Sequence, residues 1–151
     1  MAGYRPDRER LKEACDRAVV DRAFQPRSGL TFCNFAVDSI CMAMGSGVAR
    51  DKHGIMMAND IVNRLETGHY AVKCDEKEAC EWAARGAIII AGAKAKPNGH
   101  VAVIYPSGKM SHSAKWGKDV PECANVGKKS GIMGVNWAFS DEPAYFLVIP
   151  F

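Results

Sequence analysis

The apolar residues of this chain change their spacing at Gly86. Before that point they recur at helical intervals. Leu11, Ala14, Cys15, Ala18 and Val19 form one stripe, and Val37, Ile40, Cys41 and Met44 form a second that begins at Cys33. Met56, Ile61, Val62 and Leu65 form a third. Each is the buried stripe of an amphipathic helix. After Gly86 the apolar residues come in short runs, Ala87 to Ala91 and Val101 to Tyr105, bounded by Pro97-Asn98-Gly99 and Pro106-Ser107-Gly108. Such runs between turn signals are strands. Helices first and strands second, without strand–helix alternation, specify an α+β fold with an antiparallel sheet. N-terminal helices are therefore expected to pack on a C-terminal sheet.

The elements follow from this division. Helices are expected over Pro6 to Arg22, Thr31 to Gly45, Ile55 to Leu65 and Glu76 to Arg85. Asp75 is placed to cap the last of these, and Gly86 to end it. Gly45 suits the exit of the second helix. Strands are expected over Ala87 to Ala91, His100 to Tyr105, Glu122 to Val126 and Ala144 to Ile149, with a short one over Tyr70 to Lys73. Phe24 to Leu30, the glycine- and charge-rich Gly45 to Gly54, and the segment carrying Gly127, Gly131 and Gly134 read as loops. A length of 151 residues allows one domain, spanning 1–151, with a proper core.

Several function classes are disfavoured. The net charge of +3 is too small to argue nucleic-acid binding, and no basic run is interleaved with aromatics. Gly45-Ser46-Gly47 lacks the preceding strand and the third glycine of a dinucleotide site. No apolar run approaches membrane-spanning length, so no membrane insertion is expected. Met1 to Arg22 is charged throughout and has no apolar signal core. The expectation is a product made in the cytoplasm that reaches any other compartment by a leaderless route. The six cysteines, Cys15, Cys33, Cys41, Cys74, Cys80 and Cys123, form no C-x-x-C pair, so no metal and no cofactor is called for. Cys41 reads as core. Cys74 and Cys80 flank a helix start, and a disulfide between them stays open.

Cys33 carries the chemistry. It lies in the first turn of its helix, where unpaired backbone N–H groups leave partial positive charge and favour a thiolate. The plain alternative is that Cys33 merely starts a buried stripe. His100 opens a strand directly after Asn98-Gly99 and is the one histidine that a turn and a β run set at a strand mouth. His53, His69 and His112 fall in expected loops. Imidazole titrates near neutrality, so it can take a thiol proton and return it to a leaving amine. The two residues form a candidate nucleophile and base. The backbone N–H of Cys33 can supply one oxyanion donor. The group that orients the imidazole stays open among Cys123, Asn125 and a backbone carbonyl. Asn125 has the better hydrogen-bonding chemistry.

Cys33-Asn34-Phe35-Ala36-Val37 at a helix start and Gly99-His100-Val101-Ala102-Val103 on a later strand resemble the papain-like peptidoglycan peptidases, the NlpC-type endopeptidases and CHAP amidases. Within these, the closest likeness is to the type VI secretion amidase effectors. It runs from Cys33 through the Asn59 helix, over Ala83 to Gly92 and Gly99 to Tyr105, and on weakly to Cys123; Lys128 to Trp137 does not match. The resemblance implies a papain-like, NlpC-type domain that hydrolyses the stem peptide of bacterial peptidoglycan, commonly between D-glutamate and diaminopimelate. It makes Cys33 the nucleophile and His100 the base, with Cys123 in the third position. It also implies an antibacterial toxin acting in the periplasm of a target cell, with an immunity protein and a secretion apparatus as partners. A phage or housekeeping cysteine peptidase or acyltransferase, and a non-catalytic papain-like binding module, are the alternatives.

Overall fold

The computed structural model describes residues 3–151. Helix α1 (Arg8–Val20) starts at Asp7, whose carboxylate accepts from the Arg10 N–H, and it buries Leu11, Ala14, Cys15 and Ala18. A 3₁₀ turn, Arg22–Phe24, follows. Helix α2 (Cys33–Ala43) buries Val37, Ile40 and Cys41. Its exit is a left-handed turn: Gly45 takes φ +88°, and the Ser46 N–H bonds the Cys41 carbonyl at 2.8 Å. An added Cβ at Gly45 would press on the Gly3 and Tyr4 backbone at 3.1 Å, so only glycine fits the turn and its neighbour together.

Strands β1 (Arg50–Asp51) and β2 (Gly54–Ile55) pair as a small hairpin inside the expected glycine-rich loop. Strand β2 takes Ile55 from the expected third helix, whose N-cap stands at Met57, so α3 runs over Ala58–Glu66. Strand β3 (Ala71–Cys74) precedes α4 (Glu76–Ala84), which opens on a reciprocal capping box between Asp75 and Glu78. The remaining chain gives β4 (Ile89–Ala93), β5 (His100–Ile104), β6 (Met110–Ser113), β7 (Lys118–Asn125), β8 (Gly131–Gly134), α5 (Val135–Ala138) and β9 (Ala144–Val148).

The fold is α+β, as the helix-then-strand pattern predicts. The main sheet has seven strands in the order β3-β9-β4-β5-β7-β6, with β8 also paired to β7, and the pairings are antiparallel. Successive side chains leave a strand on opposite faces. Ile88, Ile90, Val101, Val103 and Phe146 join the core formed with α1, α2 and α3. Ile89, Ala91, Ala102, Ile104 and Tyr145 join a second core with Ala79 and Ala83 of α4. Both faces of the central strands are thus covered, and this is why Ala87 to Ala91 is apolar without alternation. A sheet open to water on one side would have required a polar face here.

Three further expectations are corrected. The Gly127 to Gly134 region is a loop only up to Ser130; Gly131–Gly134 forms β8. His112 lies on β6, an exposed edge strand whose polar sequence hides its period, and not in a loop. Strand β7 begins at Lys118, four residues before Glu122, and continues through Pro121, which stands opposite Met110. All six cysteines are free, so no bond joins Cys74 to Cys80. Burial and the neighbouring Glu78 and Asp75 carboxylates push the Cys74 thiol up to about 11.

Candidate active site

Helix α2 packs on β5, and this contact sets Cys33 against the start of the strand. The N-cap of α2 is Phe32, which offers no side-chain acceptor, and the first intrahelical bond runs from the Ala36 N–H to the Phe32 carbonyl. The earlier N–H groups are left to the site. Those of Cys33 and Asn34, together with the Val101 N–H on β5, face the Cys33 sulfur and favour its ionised form. The thiol therefore meets β5 at Val101, on the α1–α3 side, whereas the His100 ring leans on Phe139 of the second core. Among the described residues no hydrogen bond joins the two side chains, so the expected meeting of Cys33 and His100 across one cleft is not seen. The Asn34 amide donates to the Met56 carbonyl at 3.0 Å and ties the helix start to the entry of α3.

Cys33 is buried, at 7% exposure. Burial pushes its thiol up from the ordinary value, and the three backbone N–H groups only partly offset this. The helix start therefore does not leave a resting thiolate. The expectation of one is corrected because desolvation outweighs the partial charge of the first turn.

His100 sits at the mouth of β5, with its ring edge-on to Phe139 at 4.7 Å between centroids. Its Nε2 lies 2.6 Å from the Asn125 Oδ1. The Asn125 Nδ2 donates to the Lys129 carbonyl at 2.7 Å. A carbonyl can only accept, so the Asn125 nitrogen must face Lys129 and its oxygen must face His100. Nε2 then carries the proton, and the Nδ1 lone pair of the neutral ring is left as the basic site. Among the described residues, no hydrogen bond engages Nδ1. Burial lowers the His100 pKa, which the Asn125 bond partly restores, so the ring is neutral at neutral pH. Gly127 flanks the pair: an added Cβ there would stand 3.4 Å from His100 Cε1 and 3.9 Å from Asn125 Nδ2.

Cys123 is not beside the imidazole. The register sets it opposite Ile104, four residues along β5 from His100. It lies fully buried in the second core, where desolvation raises its pKa. Asn125, on the same face of β7 and one strand period further on, takes the position beside His100. The choice between the two residues was one of register, which no local signal in β7 reports.

The turn that delivers His100 is held by Asn59 of α3, whose amide bonds the Ala95 carbonyl at 2.8 Å and accepts from the Ala95 N–H at 3.2 Å. A cleft of about 470 Å³ opens over His100 and Asn125, with Thr31, Lys129 and Asp141 on its walls. Phe139, Gly127 and the Lys129 carbonyl are groups around His100 that no sequence pattern singled out. Gly127 and Lys129 lie in the turn between β7 and β8 and Phe139 at the end of α5, and only the tertiary fold brings them to the ring.

No protein-family model matches the chain, and no curated protein matches it. Among the described residues, no helix is long and apolar enough to cross a membrane.

Proposed function

We propose that this chain is a papain-like cysteine hydrolase that opens the stem peptide of bacterial peptidoglycan. The observation that carries the reading is the fixed tautomer of His100: Asn125, locked by the Lys129 carbonyl, leaves Nδ1 as a base at the strand mouth where the Cys33 helix docks.

The chemistry starts from a neutral pair. The reading requires Cys33 and the His100 ring, which pack against different cores, to meet in the substrate complex. As Cys33 Sγ attacks the amide carbon, its proton passes to His100 Nδ1, and the carbonyl oxygen becomes an oxyanion. The uncapped N–H groups at the start of α2 stabilise that charge. The C–N bond then breaks, and the imidazolium returns its proton to the leaving amine. Water, deprotonated by the same nitrogen, hydrolyses the thioester and regenerates the thiol. The nucleophile is thus activated by its base during attack, not by prior ionisation.

The substrate class rests on the resemblance of the Cys33 and His100 segments, with D-glutamyl–diaminopimelate as the scissile bond. The cleft agrees with such a substrate. Lys128, Lys129 and Asp141 line it, offering charge partners to the carboxylates and amino group of a diamino-acid peptide. An antibacterial effector acting in the periplasm of a target cell, matched by an immunity protein, is the biological setting this implies. A binding module is the competing reading, and the burial of the Cys33 thiol, together with its packing in a different core from the one the His100 ring leans on, is what favours it.

Digestion of purified sacculi, followed by mass analysis of the released fragments, separates the two. Stem peptides cut between D-glutamate and diaminopimelate by the wild type, and uncut by a folded Cys33→Ala variant, are expected. Sacculi left intact by folded wild-type protein would end the hydrolase reading.

A further inference from the structure

The cleft over His100 does not end at Asp141. Residues 137–140 form a ridge that lines it on one side and a second cleft, of about 560 Å³, on the other. The second cleft is walled by His112 and Lys115 from the β6 side and by Asn136 and Ser140 from the ridge side. Trp137 crowns the ridge at 79% exposure. Apolar surface left in water is unfavourable, and the described residues leave most of this indole uncovered.

The ridge is rigid beneath the indole. Val135 is fully buried, Phe139 packs on the His100 ring, and the Phe139 N–H closes a turn on the Val135 carbonyl at 2.9 Å. Lys115 Nζ donates to the Phe139 carbonyl at 2.8 Å from the opposite wall. Trp137 is thus preorganised by residues that also shape the catalytic cleft. Its exposure belongs to a fixed platform.

The chemistry of the second cleft selects its ligand. It offers the broad Trp137 face and several polar side chains, while Phe139 is almost fully buried and Ala114 and Ala138 are small, which leaves little else to grip a large apolar side chain. A saccharide ring has the complementary surface: a C–H face that stacks on an indole and an edge of hydroxyl and acetamido groups that hydrogen-bond. The volume lies within the range of small-ligand sites.

We infer that the Trp137 cleft is a glycan subsite, which holds an N-acetylated sugar of the peptidoglycan strand while the attached stem peptide lies over His100. This rests on the peptidoglycan reading for its substrate. The stem peptide is covalently attached to an N-acetylated sugar, so a substrate bound across the shared ridge presents both parts at once. Remote contacts of this kind position the reacting bond and raise the rate on the complete substrate over the isolated peptide.

Two measurements test it. The first compares kcat/KM for a disaccharide-bearing stem peptide with that for the same peptide lacking sugar. In the wild type the glycan-bearing substrate should be preferred. Trp137→Ala should cut that preference roughly tenfold, the order expected for truncating one aromatic anchor, and Trp137→Phe should restore part of it. An unaltered preference in Trp137→Ala overturns the subsite. The second is titration calorimetry with the peptide-free N-acetylated disaccharide, which needs no hydrolysis. Binding to wild type that is lost in Trp137→Ala supports the subsite even if no bond is cut, in which case only the hydrolase reading falls. No binding, or binding indifferent to Trp137, overturns the subsite even if sacculi are digested.

Discussion

His100 Nε2 and Asn125 Oδ1 lie 2.6 Å apart, although 25 residues separate them in the chain. Both are held at strand ends, His100 at the start of β5 and Asn125 at the end of β7. The bond fixes the imidazole plane and its tautomer together. In the proposed mechanism Asn125 acts through His100, as a positioning residue.

Asn125→Ala is therefore expected to lower kcat/KM by roughly a hundredfold, because a misoriented base forfeits much of general-base catalysis. Asn125→Asp keeps an acceptor for Nε2–H but adds a negative charge, which favours the imidazolium and raises the His100 pKa. The acid limb of the pH–rate profile should then move to higher pH. An unmoved limb would show that this bond does not govern the base.

Stability should have a plateau between about 6.5 and 9, the ordinary values of the His100 imidazole and the Cys33 thiol. The folded-state pKa of His100 is lowered, so unfolding takes up a proton in acid, and stability falls as pH drops below the unfolded value. The thiols of Cys33, Cys15, Cys41 and Cys123 are raised by burial, so the unfolded chain ionises first in alkali. Stability should fall again as pH rises above about 9. Urea midpoints from pH 5 to 10 measure this (range chosen as roughly that of side-chain titration). His100→Gln should flatten the His100 share of the acid side.

The same burial predicts how Cys33 reacts. Its alkylation at mildly acidic pH should be slow compared with an exposed thiol, since the resting pair is neutral. Fast labelling there, suppressed by His100→Ala, would instead mean a preformed ion pair.

Gly99→Ala should damage activity through the placement of His100. A Cβ at Gly99 would stand 2.2 Å from Asn59 Oδ1 and 2.5 Å from the Ala93 carbonyl. The backbone carbonyl cannot rotate away, and Asn59 is bonded on both sides to Ala95. A stability loss of about 1–3 kcal/mol is expected from such overpacking, together with a fall in kcat at constant protein concentration. Wild-type activity in Gly99→Ala would show that this turn does not set the base.

Asp38 and Arg50 should prove unequal partners. The Asp38 side chain is 3% exposed, whereas that of Arg50 is 43% exposed. Arg50→Ala strands a buried carboxylate, while Asp38→Asn releases an arginine that can turn to water. The urea midpoint should drop further in Arg50→Ala. The reverse order would place the stabilising contribution elsewhere.

The class of fold, and the places of Cys33 and His100 at the starts of their elements, were legible in the sequence. Helical stripes through Leu65, a capping box at Asp75, and β runs after Gly86 are local patterns, and local backbone energetics reads them directly. Cys33 at a helix start and His100 at a strand start were visible for the same reason. The partner of His100 was not, because Cys123 and Asn125 share a face of one strand. Only the pairing of Cys123 with Ile104 decides which of them reaches the ring. The edge strands β6 and β8 escaped because one is polar and the other glycine-bounded, and pairing with β7 supplies the order their own residues lack. The ionisation of Cys33 also belonged to the tertiary structure. The helix start favours a thiolate, but the depth to which α2 is pressed against β5 sets the desolvation that outweighs it.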